Sequence, residues 1–164
     1  MPCSIQYRFS QRFFVPTRKA YIWCTAYSPE DHALMGEEVA ERQITHLTDT
    51  TIILTDIFRT PNGLIEKQKL VQLYPDRLCW ISTHLTGPNK YSQFIYEISA
   101  EGKNASRLDF TALHLEYEKR LDSEGIKSVA DELKEQDSKA WILLAEAMRK
   151  ELFSLAVSEI NDKS

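Results

Sequence analysis

"TDTTIILTDIFRTPNGLIEKQKLVQLYPDRLCWISTHLTGPN" spans Thr48–Asn89. It is a series of short apolar, β-branched runs, each closed by Pro, Asn, Gly or Asp. Runs of this kind form half-buried strands, and their punctuation marks turns. Asn62-Gly63 is the strongest hairpin signal among them, because both residues tolerate the positive φ of a type I′ turn. Pro75-Asp76 and Gly87-Pro88-Asn89 close the next two hairpins, and Glu101-Gly102-Lys103-Asn104 closes a further one. The strands expected from this reading are Arg42–Leu47, Thr50–Arg59, Leu64–Tyr74, Arg77–Thr86, Lys90–Ala100 and Ala105–Tyr117. Consecutive hairpins imply an antiparallel meander.

Outward from the meander the period changes. Ile5–Val15, "IQYRFSQRFFV", is aromatic and β-branched with partial alternation, and reads as a first strand. Thr17 then suits the cap of a short helix, "TRKAYIWCTAY", with Ala20, Trp23, Cys24 and Tyr27 on one face. Ser28-Pro29-Glu30 restarts a second short helix, which Gly36 ends. The last third is helical. "AWILLAEAMRKELFSLAVSEI", Ala140–Ile160, contains no Pro or Gly, and Ser138 stands where an N-cap is expected. Trp141, Leu144, Ala145, Met148, Leu152 and Leu155 recur at helical spacing and give one broad apolar face. A weaker helical stretch, Lys127–Gln136, precedes it, with bends expected at Gly125 and at Asp137-Ser138.

Composition narrows the function classes. The 164 residues suit one domain, 1–164, with a proper core. A net charge of −4 with no basic run argues against a nucleic-acid surface. Cys3, Cys24 and Cys79 are odd in number and far apart, so free thiols in a reducing compartment are expected. The start lacks the apolar run of a signal peptide, and no stretch approaches the ~20 apolar residues of a membrane span. A cytoplasmic location follows as an expectation. No GxGxxG, P-loop, GxSxG or HExxH occurs, so no cofactor is implied and the reactions tied to those motifs have no support.

A curved antiparallel sheet has one face to bury, and the final helix is the only element long enough to cover it. The order strand, two short helices, six strands, long helix resembles the START-like (SRPBCC) superfamily. That superfamily comprises polyketide cyclases, lipid-transport proteins and plant-allergen ligand carriers with a helix-grip fold. The resemblance is carried by "FFVPTRKAYIWCTAYSPEDHALMG", by the "TDTTIILTDIF" start of the meander, and by "SRLDFTALHLEY" leading into "AWILLAEAMRKEL". It covers nearly the whole chain, rests on element order and spacing, and singles out no subfamily. It implies an α+β fold, a sheet of about seven strands around the C-terminal helix. It also implies a large cavity between the two that holds a lipid, isoprenoid, polyketide or similar ligand.

Strand alternation proposes the wall of such a cavity. Three-residue loops at Gly87-Pro88-Asn89 and Gly102-Lys103-Asn104 would align Trp80, Tyr96 and Phe110 in one row. Ser82, Phe94 and Ala112 would form the next row, and His84, Ser92 and His114 a third. The two histidines would then lie roughly 10 Å apart. Trp23 and Leu34 from the short helices, Leu54 and Phe58 from the first hairpin, and Trp141, Leu144, Met148 and Leu152 from the last helix would complete the wall. Asp56 interrupts an apolar face and would meet Lys69 directly across the Asn62-Gly63 hairpin, either as a buried pair or as a surface one.

Three functions fit these residues. The first is a carrier for a small hydrophobic molecule, with His84 and His114 anchoring its polar end. The second is an enzyme of the cyclase/dehydratase type using His84, His114 or Asp56 as acid and base. The third is a partner-binding module with a filled core. Two histidines without a third close ligand give no metal site. Monomer and homodimer are both compatible with the sequence.

Overall fold

The computed structural model describes residues 1–34 and 39–163, with the side chains at 32 and 33 outside that description. Strand β1 (Cys3–Phe13) leads into helix α1 (Thr17–Thr25) and a 3₁₀ segment at Pro29–Leu34. Six strands follow: β2 (Val39–Thr48), β3 (Thr51–Thr60), β4 (Gly63–Tyr74), β5 (Cys79–His84), β6 (Gln93–Ala100) and β7 (Ser106–Glu116). Helix α2 (Ser123–Asn161) completes the fold. All seven strands form one antiparallel sheet in the order β1-β7-β6-β5-β4-β3-β2. The meander is as the punctuation implies, with β1 added along β7.

The first hairpin turns one residue earlier than the Asn-Gly rule suggests. Thr60 pairs with Gly63, so Pro61-Asn62 form the two-residue loop. Proline supplies the fixed φ of a first turn position, and Gly63 follows at φ +118°, a conformation that needs glycine. Asp56 therefore lies opposite Lys67, and Lys69 opposite Leu54. A shift of two residues preserves which face each side chain takes. The expected face holds while the partner changes.

Three helix expectations are corrected. Pro16 occupies the N-cap of α1 with no side-chain hydrogen bond, so Thr17 is the first helical residue and not the cap. The second short helix is a 3₁₀ turn. Ser28 caps it, its hydroxyl accepting from the Glu30 N–H at 3.2 Å while the Ser28 N–H donates to Asp31 Oδ2 at 2.8 Å. Its expected end at Gly36 lies outside the described residues. The last third is a single helix of 39 residues rather than two joined at Asp137-Ser138. Asp122 caps it by accepting from the Gly125 N–H at 2.8 Å. Gly125 thus belongs to the first turn of a helix with no later Gly or Pro to stop it.

Helix α2 covers two packed clusters in succession. Its first turns set Ile126, Val129, Ala130 and Leu133 on Ile5, Tyr7, Phe94, Phe110 and Ala112. Further on, Trp141, Ala145, Met148 and Leu152 meet Phe13, Ala20, Tyr21, Leu54, Trp80 and Leu108. Leu155, expected on the buried face, is 55% exposed, as the final turns leave the sheet.

Candidate functional site

Between the concave sheet and α2 lies a cavity of about 550 Å³, inside the usual size range of small-molecule sites. Its apolar wall is aromatic. Trp80 and Tyr96, partners in the β5–β6 ladder, stack with centroids 4.7 Å apart and planes 2° from parallel. Phe110 meets Tyr96 edge-on at 5.1 Å, and Trp141 reaches down from α2 to 5.7 Å from Tyr96. Phe94 continues the wall, 5.9 Å from Phe110 and 4.9 Å from the His84 ring. Edge-on and offset contacts of this kind hold rings in place, which gives the cavity a preformed shape.

Polar residues form a belt across the same face. The ladders place Arg42 opposite Asp56, Lys69 opposite His84 and His114 opposite Ile5. The His84 main-chain N–H donates to the Ser92 carbonyl at 3.0 Å, joining the end of β5 to the residue before β6 in the expected row. At one end Arg42 grips Asp56 in a bidentate pair, Nε–Oδ1 at 2.7 Å and Nη2–Oδ2 at 3.0 Å. Lys69 Nζ stands 3.6 Å from Oδ2 of the same carboxylate. At the other end the Tyr7 hydroxyl donates to Asp137 Oδ2 at 2.6 Å.

Burial and charge set the protonation of the belt. Burial opposes the charge on Asp56, yet Arg42 and Lys69 outweigh it and hold its carboxyl below the usual range. Burial likewise opposes Arg42, whose charge Asp56 nonetheless reinforces. Lys69 is pushed down by burial and by Arg42, against the pull of Asp56. His84 falls to about 4 through burial and the neighbouring Lys69 charge, so it is neutral at pH 7. Its Nδ1 lies 3.1 Å from Asn89 Oδ1; an Nδ1–H donated there leaves Nε2 with a free lone pair. His114 is also lowered by burial. Burial raises Asp137 despite the Tyr7 hydrogen bond, and raises Tyr7 in turn.

Most of the residues proposed for the wall reach it: Trp23, Leu34, Leu54, Trp80, Ser82, His84, Phe94, Tyr96, Phe110, His114, Trp141 and Leu144. Six candidates do not line it. Asp56 is fully buried beneath Arg42 and Lys69, which line the cavity in its place. Ser92 is fully buried, and its hydroxyl accepts the Leu115 N–H at 2.9 Å. Ala112 is fully buried in register between Tyr7 and Phe94, whose longer side chains cover it. Met148 fills the core and Leu152 packs beside it. Phe58 sits 4.8 Å from the Lys67 ammonium, outside the cavity wall.

Sequence reasoning missed Tyr7, Arg42 and Asp137. Arg42 was hidden, because the Thr48–Thr51 turn alone would pair it with Ile57 and an irregularity between His46 and Thr48 shifts it onto Asp56. Asp137 precedes Trp141 by four residues and shares its stripe, a relation hidden by reading Asp137-Ser138 as a break. Among the described residues no group of three His, Cys, Asp or Glu is placed to hold a metal ion. Cys24 lines the cavity, but burial raises its thiol and leaves it a weak nucleophile.

No protein-family profile and no curated protein sequence matches the chain. Solved structures do. The Zhui aromatase/cyclase from Streptomyces sp. R1128 superposes with a TM-score of 0.71 at 9% identity, over 92% of this chain and 96% of that one. Ara h 8.0201 matches with a TM-score of 0.64 at 10% identity, over 90% and 99%. Norcoclaurine synthase from Thalictrum flavum, solved with dopamine and hydroxybenzaldehyde, matches with a TM-score of 0.67 at 12% identity, over 93% and 88%. At these identities the likeness is one of fold: the chain has the helix-grip fold of the START-like proteins. Among the described residues no helix is long and apolar enough to cross a membrane.

Proposed function

We propose that the chain is a single ligand-binding domain that carries a small hydrophobic molecule between sheet and helix, with an oxygen of the ligand seated in the polar belt. The observation that carries this reading is the 550 Å³ cavity, walled by Trp80, Phe94, Tyr96, Phe110 and Trp141 and crossed by Lys69 and His84. A ligand burying roughly 200 Å² of apolar surface there would gain about 5 kcal/mol at ~25 cal/mol per Å², before the cost of association. The same space weighs against a partner module with a filled core. Similarity of fold to a cyclase, to Ara h 8.0201 and to norcoclaurine synthase supports a ligand cavity without naming its ligand.

A second reading places acid–base chemistry in the cavity. It is favoured by one arrangement: the neutral His84 fixed by Asn89, in the same cavity as the Tyr7–Asp137 pair. Native mass spectrometry of the purified protein tests the carrier reading. A co-purified small molecule released intact on denaturation supports it. A protein that is ligand-free as purified and takes up no member of an apolar library contradicts it.

A further inference from the structure

The polar belt is unevenly charged. On its strand side two cations share one carboxylate, because Arg42 occupies both oxygens of Asp56 at 2.7 and 3.0 Å. Lys69 Nζ, at 3.6 Å, is left beyond hydrogen-bond range. Its side chain is 19% exposed, and the residue lines the cavity. The charges acting on it are Asp56 on one side and Arg42 and Lys67 on the other.

The remaining acids on the wall lie elsewhere. Asp31, in the 3₁₀ segment, accepts from Ser28. Asp137 and Glu151, on α2, accept from Tyr7 and from Trp23 Nε1–H at 2.8 Å. Asp31 acts on Arg42, and Asp137 lies within electrostatic reach of Lys69, but each is already held by another donor. An ammonium in a low-dielectric site without a full counter-charge is unfavourable. An arriving anion relieves it.

We infer that Lys69 is the anchor for the carboxylate of an amphipathic monoanion, whose apolar body lies along the Trp80–Tyr96–Phe110 wall. His84, its partner across the ladder, is neutral at pH 7 and so adds no competing charge. Within the Arg42–Asp56–Lys69 group two cations face one carboxylate, so one added negative charge balances it. A dianion such as a phosphate monoester would leave an excess negative charge near Asp137. The inference rests on the carrier reading and specifies the ligand's head group.

Displacement of the neutral fluorescent probe N-phenyl-1-naphthylamine at pH 7 tests it, with decanoate, 1-decanol and decyl phosphate as competitors. Decanoate should displace the probe at least tenfold more effectively than either of the others. Lys69→Met should abolish that preference, and Lys69→Arg should retain most of it. Equal displacement by decanoate and decanol overturns the inference and leaves the carrier reading standing. Tightest binding of decyl phosphate, or a preference that survives in Lys69→Met, also overturns it. If the probe itself does not bind, the carrier reading and this inference fall together. Should Lys69→Met not fold, Lys69→Gln replaces it, and the wild-type comparison of decanoate with decanol decides on its own.

Discussion

The hydroxyl of Tyr7 donates to the carboxylate of Asp137 across 2.6 Å of space and 130 residues of chain. One residue belongs to the first strand and the other to the middle of the final helix, so this bond fixes the helix over the sheet. Asp137 is also the residue at which the sequence invites a helix break. Its side chain makes a tertiary bond instead of a cap, and the helix runs through.

Replacing Tyr7 by Phe removes the donor and leaves a half-buried carboxylate without it. The expected cost is about 1–3 kcal/mol, the usual penalty for an unsatisfied buried group. Urea denaturation measures it. Combining Tyr7→Phe with Asp137→Leu should recover part of the loss, and a double variant less stable than Tyr7→Phe contradicts the pairing.

The two cations on Asp56 should contribute unequally. Arg42→Met breaks a buried bidentate pair and should cost about 3–5 kcal/mol. Lys69→Met leaves that pair intact and should cost less than half as much. Equal losses would mean that the carboxylate depends on Lys69 as strongly as on Arg42.

His84 should make stability depend on pH. Its ring is held near 4 in the fold, against an ordinary value of 6.5, so between those values the unfolded chain binds more protons. The contribution is therefore complete above pH 6.5 and is lost as pH falls from 6.5 towards 4. Its full size is roughly 3 kcal/mol at about 1.36 kcal/mol per unit. Denaturation of wild type and His84→Gln at pH 7.5 and pH 4.5 isolates it, because Asp137 and His114 titrate in both proteins. A stability gap independent of pH contradicts a buried neutral His84.

The fold was legible because each hairpin carries its own turn chemistry. The Gly87 and Gly102 loops place Trp80 against Tyr96 and Tyr96 against Phe110, as alternation proposes. The cavity wall was legible only in part, since alternation assigns a face but not a depth. Ser92 and Ala112 share the inward face with Phe94 and Phe110, yet their short side chains are spent within the sheet. Asp56 was legible as anomalous. Its grip by Arg42 depends on β2, whose polar sequence "ERQITH" gives no sign of which side chain turns inward. The helix contributed the largest misreading, because an Asp-Ser pair has the same local signature in a cap and in a helix held from outside.

Ser82 offers the most direct test of the central claim. It lies on the cavity wall between Val71 and Phe94, and Phe at this position would project into the space a ligand needs. Titration of N-phenyl-1-naphthylamine into wild type and Ser82→Phe, with thermal unfolding of both, is the measurement. Saturable binding at one site per chain in wild type, weakened at least tenfold in a variant that still unfolds cooperatively, is the predicted result. Equal affinity in the two folded proteins would contradict a ligand site between sheet and helix.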